Sequence, residues 1–148
     1  AVGTMATAVY ALLDRGHLAA DDTVLIHSAM GGVGQCAIQV ARMVGCTILA
    51  SAGTEEKRAA LRAMGIEHVL NSRDPSKFEA AVRSFTDGRG VSVCLNSLAG
   101  EGQAASLRCM AAGGRFVEIG KADILSNRGL ALRSLKQNLQ CSKKEIFS

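Results

Sequence analysis

Apolar positions along the chain follow two rhythms that take turns. Short unbroken runs, Thr23 to His27, Cys46 to Ser51, His68 to Leu70, Val91 to Asn96 and Arg115 to Ile119, are separated by stretches where apolar residues recur every three or four places. The first rhythm belongs to strands buried on both faces and the second to helices, so the alternation predicts βαβ units around a parallel sheet. Start and stop residues agree with it. From Gly34 to Val44 a helical face carries Val33, Ala37, Val40, Ala41 and Val44, and Gly45 supplies the stop. Thr54 is placed to cap a second helix, with Glu55 and Glu56 in its first turn and Gly65 just past Met64. Asp74-Pro75 opens a third that runs to about Phe85, Glu101 to Met110 forms a fourth, and Met5 to Asp14 forms one ahead of the first strand. A sixth strand is expected near Leu139 to Cys141. The fold expected is α/β, a doubly wound parallel sheet of about six strands with helices on both faces, in one domain over residues 1–148.

Composition narrows this picture without changing it. A length of 148 residues is near the commonest domain size and buries a core without disulfides or a structural metal. With 48% apolar and 20% charged residues, 16 Gly and a single Pro, disorder, collagen and mucin-like stalks are excluded. No apolar run approaches the roughly 18 residues of a membrane span, and Ala1 to Tyr10 lacks the basic start of a signal peptide, so a soluble, cytoplasmic protein is expected. The net charge of +4 raises the question of nucleic acid. Apart from Lys143-Lys144 the basic residues are scattered, and with no Trp, one Tyr and four Phe there is little on which bases could stack. The charge suits a small polyanionic ligand instead. Five cysteines without a C-x-x-C remove both a disulfide framework and a zinc ribbon, and no metal site is expected; Cys46 and Cys94 read as buried, inert thiols.

The most informative segment runs from Val24 to Gly34, a strand that feeds a glycine turn opening a helix. It follows the G-x-G-x-x-G pattern of Rossmann dinucleotide sites with Ala29 in the first place, then Met30, Gly31, Gly32, Val33 and Gly34. Gly31 lets the backbone approach a pyrophosphate, Gly34 lets the helix pack against the sheet, and the helix N-terminus offers unpaired N–H groups. A Walker A loop is excluded, because no Gly-Lys-Ser or Gly-Lys-Thr follows. About 20 residues past the turn an NAD site places Asp or Glu to hold the ribose. Here the second strand ends in Ser51, Ala52 and Gly53, followed by Thr54, with no acid. A carboxylate would repel a 2′-phosphate, so its absence, with Lys57 and Arg58 downstream, favours NADPH. The bland reading of Lys57 and Arg58 is a solvated helix face; Arg73, after the third strand, is a second candidate on the adenine side. At the switch point, the ends of the fourth and fifth strands put Asn96, Ser97, Leu98, Ile119 and Gly120 at the nicotinamide half, with Asn96 and Ser97 equally suited to cap the next helix.

The segments His27 to Gln35, Gly53 to Arg58, Asn71 to Asp74, Gly88 to Val91, Leu95 to Ala99, Ser106 to Cys109 and Gly114 to Lys121 together resemble the medium-chain reductase type of enoyl reductase of polyketide synthases and animal-type fatty acid synthases, over about Met5 to Asn138. The glycine turn is general to medium-chain reductases, whereas Asn96-Ser97-Leu98-Ala99, Ser106-Leu107-Arg108-Cys109 and Glu118-Ile119-Gly120-Lys121 carry the synthase resemblance. The resemblance implies that NADPH gives a hydride to the β-carbon of a trans-2-enoyl thioester held on acyl carrier protein, with a proton then going to the α-carbon. It also implies that Lys121 is the proton donor, where a bare reading sees a solvated lysine, and that the parent protein is a homodimer paired through a sheet edge. Two departures stand against it. After Asn138 the chain lacks the family's apolar strand and the aspartate expected near Phe147, and the family's substrate half is not represented, so the chain reads as the nucleotide-binding part of a larger enzyme. A free-standing quinone or alkenal reductase and a non-catalytic nucleotide-binding module are the alternatives. Short-chain dehydrogenase chemistry is disfavoured, because the only tyrosine, Tyr10, is followed at the fourth place by Asp14 and not by lysine.

Overall fold

The computed structural model of the chain describes residues 2–119. The expectations for Gly120, Lys121, a sixth strand at 139–141 and the chain after Asn138 fall outside them. Helix α1 (Val2–Val9) continues as a π-helical turn over Tyr10–Arg15, followed by β1 (Thr23–Ile26), α2 (Gly32–Val44), β2 (Thr47–Ala52), α3 (Glu55–Ala63), β3 (His68–Asn71), α4 (Pro75–Phe85), β4 (Val91–Asn96), α5 (Glu101–Arg108) and β5 (Met110–Glu118). The five strands form one parallel sheet in the order β3-β2-β1-β4-β5. Among the described residues no helix is long and apolar enough to cross a membrane.

Alternation along the strands divides the core in two. Val24, Ile26, Ala50, Val93, Leu95 and Val117 face one side and pack with residues of α1, α2 and α3, among them Ala37, Ala41 and Leu61. Leu25, Leu49, Cys94 and Phe116 face the other and pack with Phe78 and Val82 of α4 and Ala105 of α5. Both faces of the sheet are therefore covered, which is why the strands read as apolar runs without polar gaps. The caps read from the sequence form: the Thr54 hydroxyl accepts the Lys57 N–H at 3.2 Å, the Asp74 carboxylate accepts the Lys77 N–H at 3.3 Å, and Gly45 ends α2 in the left-handed region.

Three boundaries differ from the pattern. The helix before β1 was expected to be regular to Asp14, but from Tyr10 it widens into a π turn, with the Gly16 N–H reaching the Ala11 carbonyl at 2.8 Å. The wider turn buries Arg15, whose guanidinium lies 5.1 Å over the Tyr10 ring and donates to the Tyr10 hydroxyl at 2.6 Å. Helix α5 stops at Arg108, two residues early, and the Cys109 carbonyl accepts the Val91 N–H at 2.9 Å. β5 then begins at Met110 rather than Arg115, and its register on β4 shifts between Val91 and Val93. The Ala- and Gly-rich start of that strand has little strand propensity of its own; pairing with β4 supplies the order.

Candidate dinucleotide site

Strand order reverses at β1 and β4, which are neighbours, while α2 follows β1 on one face and α5 follows β4 on the other. The carboxyl ends of these strands therefore part into a crevice. The glycine turn forms its floor. Ser28 takes a left-handed conformation (φ 51°), the Ala29 N–H donates to the Ser51 carbonyl at 2.9 Å, and the Gly31 N–H donates back to the Ser28 carbonyl at 2.9 Å. Helix α2 opens at Gly32 with no side-chain cap, so its first-turn N–H groups carry a partial positive charge that no side chain of the cap answers. A Cβ on Gly34 would lie 2.4 Å from the Ser28 carbonyl oxygen and 2.6 Å from the Ala29 Cα, so the helix seats on the turn only with glycine there. Ala29, Val33 and Gly34 are buried and support the turn from beneath, Met30 and Gly31 are half-buried, and Gly32 is exposed.

On the adenosine side, β2 ends and leads through Gly53 into α3, whose cap is Thr54. The Arg73 side chain crosses Gly53: a Cβ at Gly53 would sit 2.8 Å from the Arg73 Nε. Arg73 is exposed, and its guanidinium forms no ion pair with any described residue; only its backbone N–H is held, by the Asn71 side-chain oxygen at 3.0 Å. Lys57 is likewise exposed and free of ion pairs among the described residues. Arg58 differs from both, and the bland reading of it as a solvated helix face does not hold. Its side chain is only 14% exposed, lies 3.2 Å from Glu55, and donates to the Ala52 carbonyl at 3.0 Å, bracing the end of β2. Glu55, in the first turn of α3, is bound by Arg62 and Arg58, whose hydrogen bonds hold its carboxyl below the ordinary range.

The nicotinamide side is built from internal pairs. Asn96 is fully buried; its amide donates to the Leu98 carbonyl at 2.9 Å and to Glu118 Oε2 at 2.6 Å, and its oxygen accepts the Leu98 N–H at 3.3 Å. The Ser97 hydroxyl donates to Ser28 Oγ at 2.7 Å, tying the end of β4 to the glycine turn. The cap of α5 is Gly100 without a side-chain bond, so Asn96 and Ser97 are clamps of the crevice and not caps of the next helix. Ile119 is buried and its N–H donates to the Asn96 carbonyl at 2.8 Å.

One residue of this region was given no role by the sequence. His27, at the end of β1, is fully buried, with Nδ1 2.6 Å from Ser51 Oγ and Nε2 2.7 Å from Ser106 Oγ. The Ser106 hydroxyl donates to the Gly102 carbonyl at 2.7 Å, so it accepts from Nε2–H, and Nδ1 accepts from the Ser51 hydroxyl. Burial pushes the His27 pKa down to about 4, which keeps the ring neutral. Ser51, expected at the ribose, is itself fully buried and gives its hydroxyl to His27 and its carbonyl to Ala29. A histidine and a serine at successive strand ends, in otherwise apolar runs, are the signal that marks this pair. Cys94 is buried as expected, whereas Cys46, just before β2, is only half-buried; burial raises the pKa of both thiols.

The family profile of zinc-binding dehydrogenases matches residues 32–140. A mycocerosic acid synthase-like polyketide synthase of Mycobacterium tuberculosis is 52% identical over 134 residues, covering 90% of this chain and 6% of that protein. Among solved structures, the nucleotide-binding subdomain of the enoylreductase domain of PpsC from Mycobacterium tuberculosis is 41% identical with a TM-score of 0.78, covering 93% of this chain and 77% of that one. The CurK enoyl reductase is 35% identical with a TM-score of 0.77, covering 96% and 47%. The chain thus spans about 6% of the curated relatives it matches. Despite the family's description, no three His, Cys, Asp or Glu side chains converge among the described residues in the way a zinc site requires. With the parallel sheet, the glycine turn at its switch point and these relatives agreeing, the chain belongs to the zinc-binding dehydrogenase family and, within it, to the nucleotide-binding subdomains of polyketide synthase enoyl reductases.

Proposed function

We propose that this chain binds NADPH in the crevice between β1 and β4 as part of an enoyl reductase acting on a trans-2-enoyl thioester held on acyl carrier protein. The bound cofactor supplies a hydride to the β-carbon of that thioester. The observation that carries the cofactor choice is Arg73 lying across Gly53, an exposed guanidinium with no ion pair among the described residues, beside a strand end that has no carboxylate. Such a group answers a 2′-phosphate. Lys57, one turn into α3, is the second cation within this neighbourhood.

The remaining residues take complementary roles. The first-turn N–H groups of Gly32, Val33 and Gly34 receive the pyrophosphate, the Thr54 and Gly53 backbone lines the adenosine ribose, and Leu98 and Ile119 line the nicotinamide end. Lys121, beyond the described residues, holds an ammonium that stabilises the developing enolate or donates the α-proton. Fluorescence titration of the chain with NADPH and NADH tests the reading directly. NADPH is expected to bind about tenfold or more tightly, the value of one charge-assisted contact. Equal affinities for the two cofactors would remove the reading.

A further inference from the structure

The two halves of the crevice are joined through one side chain. The paired register of β1 ends at Ile26, opposite Ala50 of β2 and Leu95 of β4. At the next level, His27 takes over. Its backbone N–H donates to the Leu95 carbonyl at 3.1 Å, its Nδ1 accepts from Ser51 on β2, and its Nε2 donates to Ser106 on α5. Ser51 in turn holds the glycine turn by its carbonyl, and Ser106 holds the start of α5 by its bond to the Gly102 carbonyl, just past the loop 97–100. The Phe78 ring packs against the imidazole with centroids 5.2 Å apart, so the ring has no room to swing. A neutral imidazole with one nitrogen accepting and the other donating is the side chain that bridges two hydroxyls in this arrangement.

We propose that His27 is a positioning residue that holds both halves of the cofactor site in place, the adenosine half through its bond to Ser51 and the nicotinamide half through its bond to Ser106. This rests on the NADPH reading above. The two arms of the bridge have separate consequences. The Ser51 arm sets where the end of β2 and the glycine turn sit, and so acts on ligands that fill the adenosine half. The Ser106 arm sets where α5 and the loop before it sit, and so acts only on ligands that reach the nicotinamide half.

Two variants cut the arms one at a time. In His27→Asn the amide occupies the place of Nδ1 and keeps the Ser51 arm; in His27→Gln it reaches the place of Nε2 and keeps the Ser106 arm. The probes are adenosine 2′,5′-bisphosphate, which fills the adenosine half alone, and NADPH, which fills both. His27→Gln should weaken both probes by about tenfold, the value of one buried hydrogen bond. His27→Asn should leave the bisphosphate within about twofold of the wild type while weakening NADPH by about fivefold. Ser51→Ala and Ser106→Ala remove one oxygen each from the same arms and should reproduce the two patterns, which decides the matter if a His27 variant does not fold. Parallel losses on both probes in all variants, or no loss in any, would overturn the two-armed positioning while a tight wild-type NADPH complex leaves the cofactor reading standing. If the wild type binds neither probe, the cofactor reading falls and the positioning role falls with it.

Discussion

The two sides of the crevice solve different problems with different chemistry. On the adenosine side two cations are left available: Arg73 and Lys57 are exposed and free of ion pairs among the described residues, and the end of β2 carries no acid. On the nicotinamide side the polar groups are consumed within the fold, Asn96 by Leu98 and Glu118 and Ser97 by Ser28, while His27 bridges the two sides through Ser51 and Ser106. A free cation strengthens binding of an anion but fixes its position poorly, whereas a saturated buried network holds geometry and offers little affinity. The first side is suited to catching a charged end of a ligand and the second to aligning an uncharged one.

The largest effect expected is at the seam between the sides. Gly34→Ala puts a methyl 2.4 Å from a backbone oxygen that cannot yield without moving the whole turn. It should cost about 3 kcal/mol of stability in urea unfolding and abolish binding of NADPH, the upper end of what overpacking does. An alanine chain as stable as the wild type would mean the two sides are not fastened there.

Acid breaks the histidine bridge between the sides. His27 titrates at about 4 in the fold against an ordinary 6.5, so below pH 6.5 the unfolded chain takes up a proton that the folded chain refuses, and stability falls until about pH 4, where both are charged. Its hydrogen-bond and ring partners Ser51, Ser106 and Phe78 are all uncharged, so burial alone drives the shift. Between pH 7 and pH 4 the wild type should lose about 3 kcal/mol more stability than His27→Gln, from a shift worth about 1.4 kcal/mol per unit. Equal losses measured by denaturant melts would show that the imidazole is not the titrating group.

Lys121 sharpens the comparison if the parent protein reduces enoyl thioesters as proposed. If the nicotinamide side aligns while chemistry comes from a residue past it, Lys121→Ala should slow enoyl reduction by about a hundredfold and leave NADPH affinity unchanged. Single-turnover hydride transfer within about threefold of wild type, under about 0.7 kcal/mol, would make it a solvated lysine.

The smallest effects separate the two free cations. Arg73→Ala should weaken NADPH by about tenfold and Lys57→Ala by about threefold, because Arg73 is already laid over Gly53 while a lysine on an exposed helix gives up rotamer freedom to reach the ligand. Both losses should shrink as salt rises and neither should alter NADH binding. A larger loss from Lys57 than from Arg73 would reverse the ranking of the two.

The layout of this protein was legible in one dimension because it rests on local rules. Apolar runs broken by 3.6-residue periodicity, Thr54 and Asp74 at helix starts, Gly45 at a stop and the spacing from Ala29 to Gly34 are all set within a dozen residues, and four of the five described strands were read within a residue or two at each end. What needed the tertiary structure was every choice between partners distant in sequence. Lys57 and Arg58 are adjacent and alike, yet one stays free while the other braces the Ala52 carbonyl. Met110 to Gly114 has no strand signal until β4 lies beside it. Ser51 and Ser106 lie 24 and 79 positions from His27 along the chain, and only the closing of the sheet brings an imidazole between two hydroxyls. Periodicity records which face a residue turns to the core, whereas a hydrogen bond across the core depends on where three elements meet, and that is a property of the packed whole.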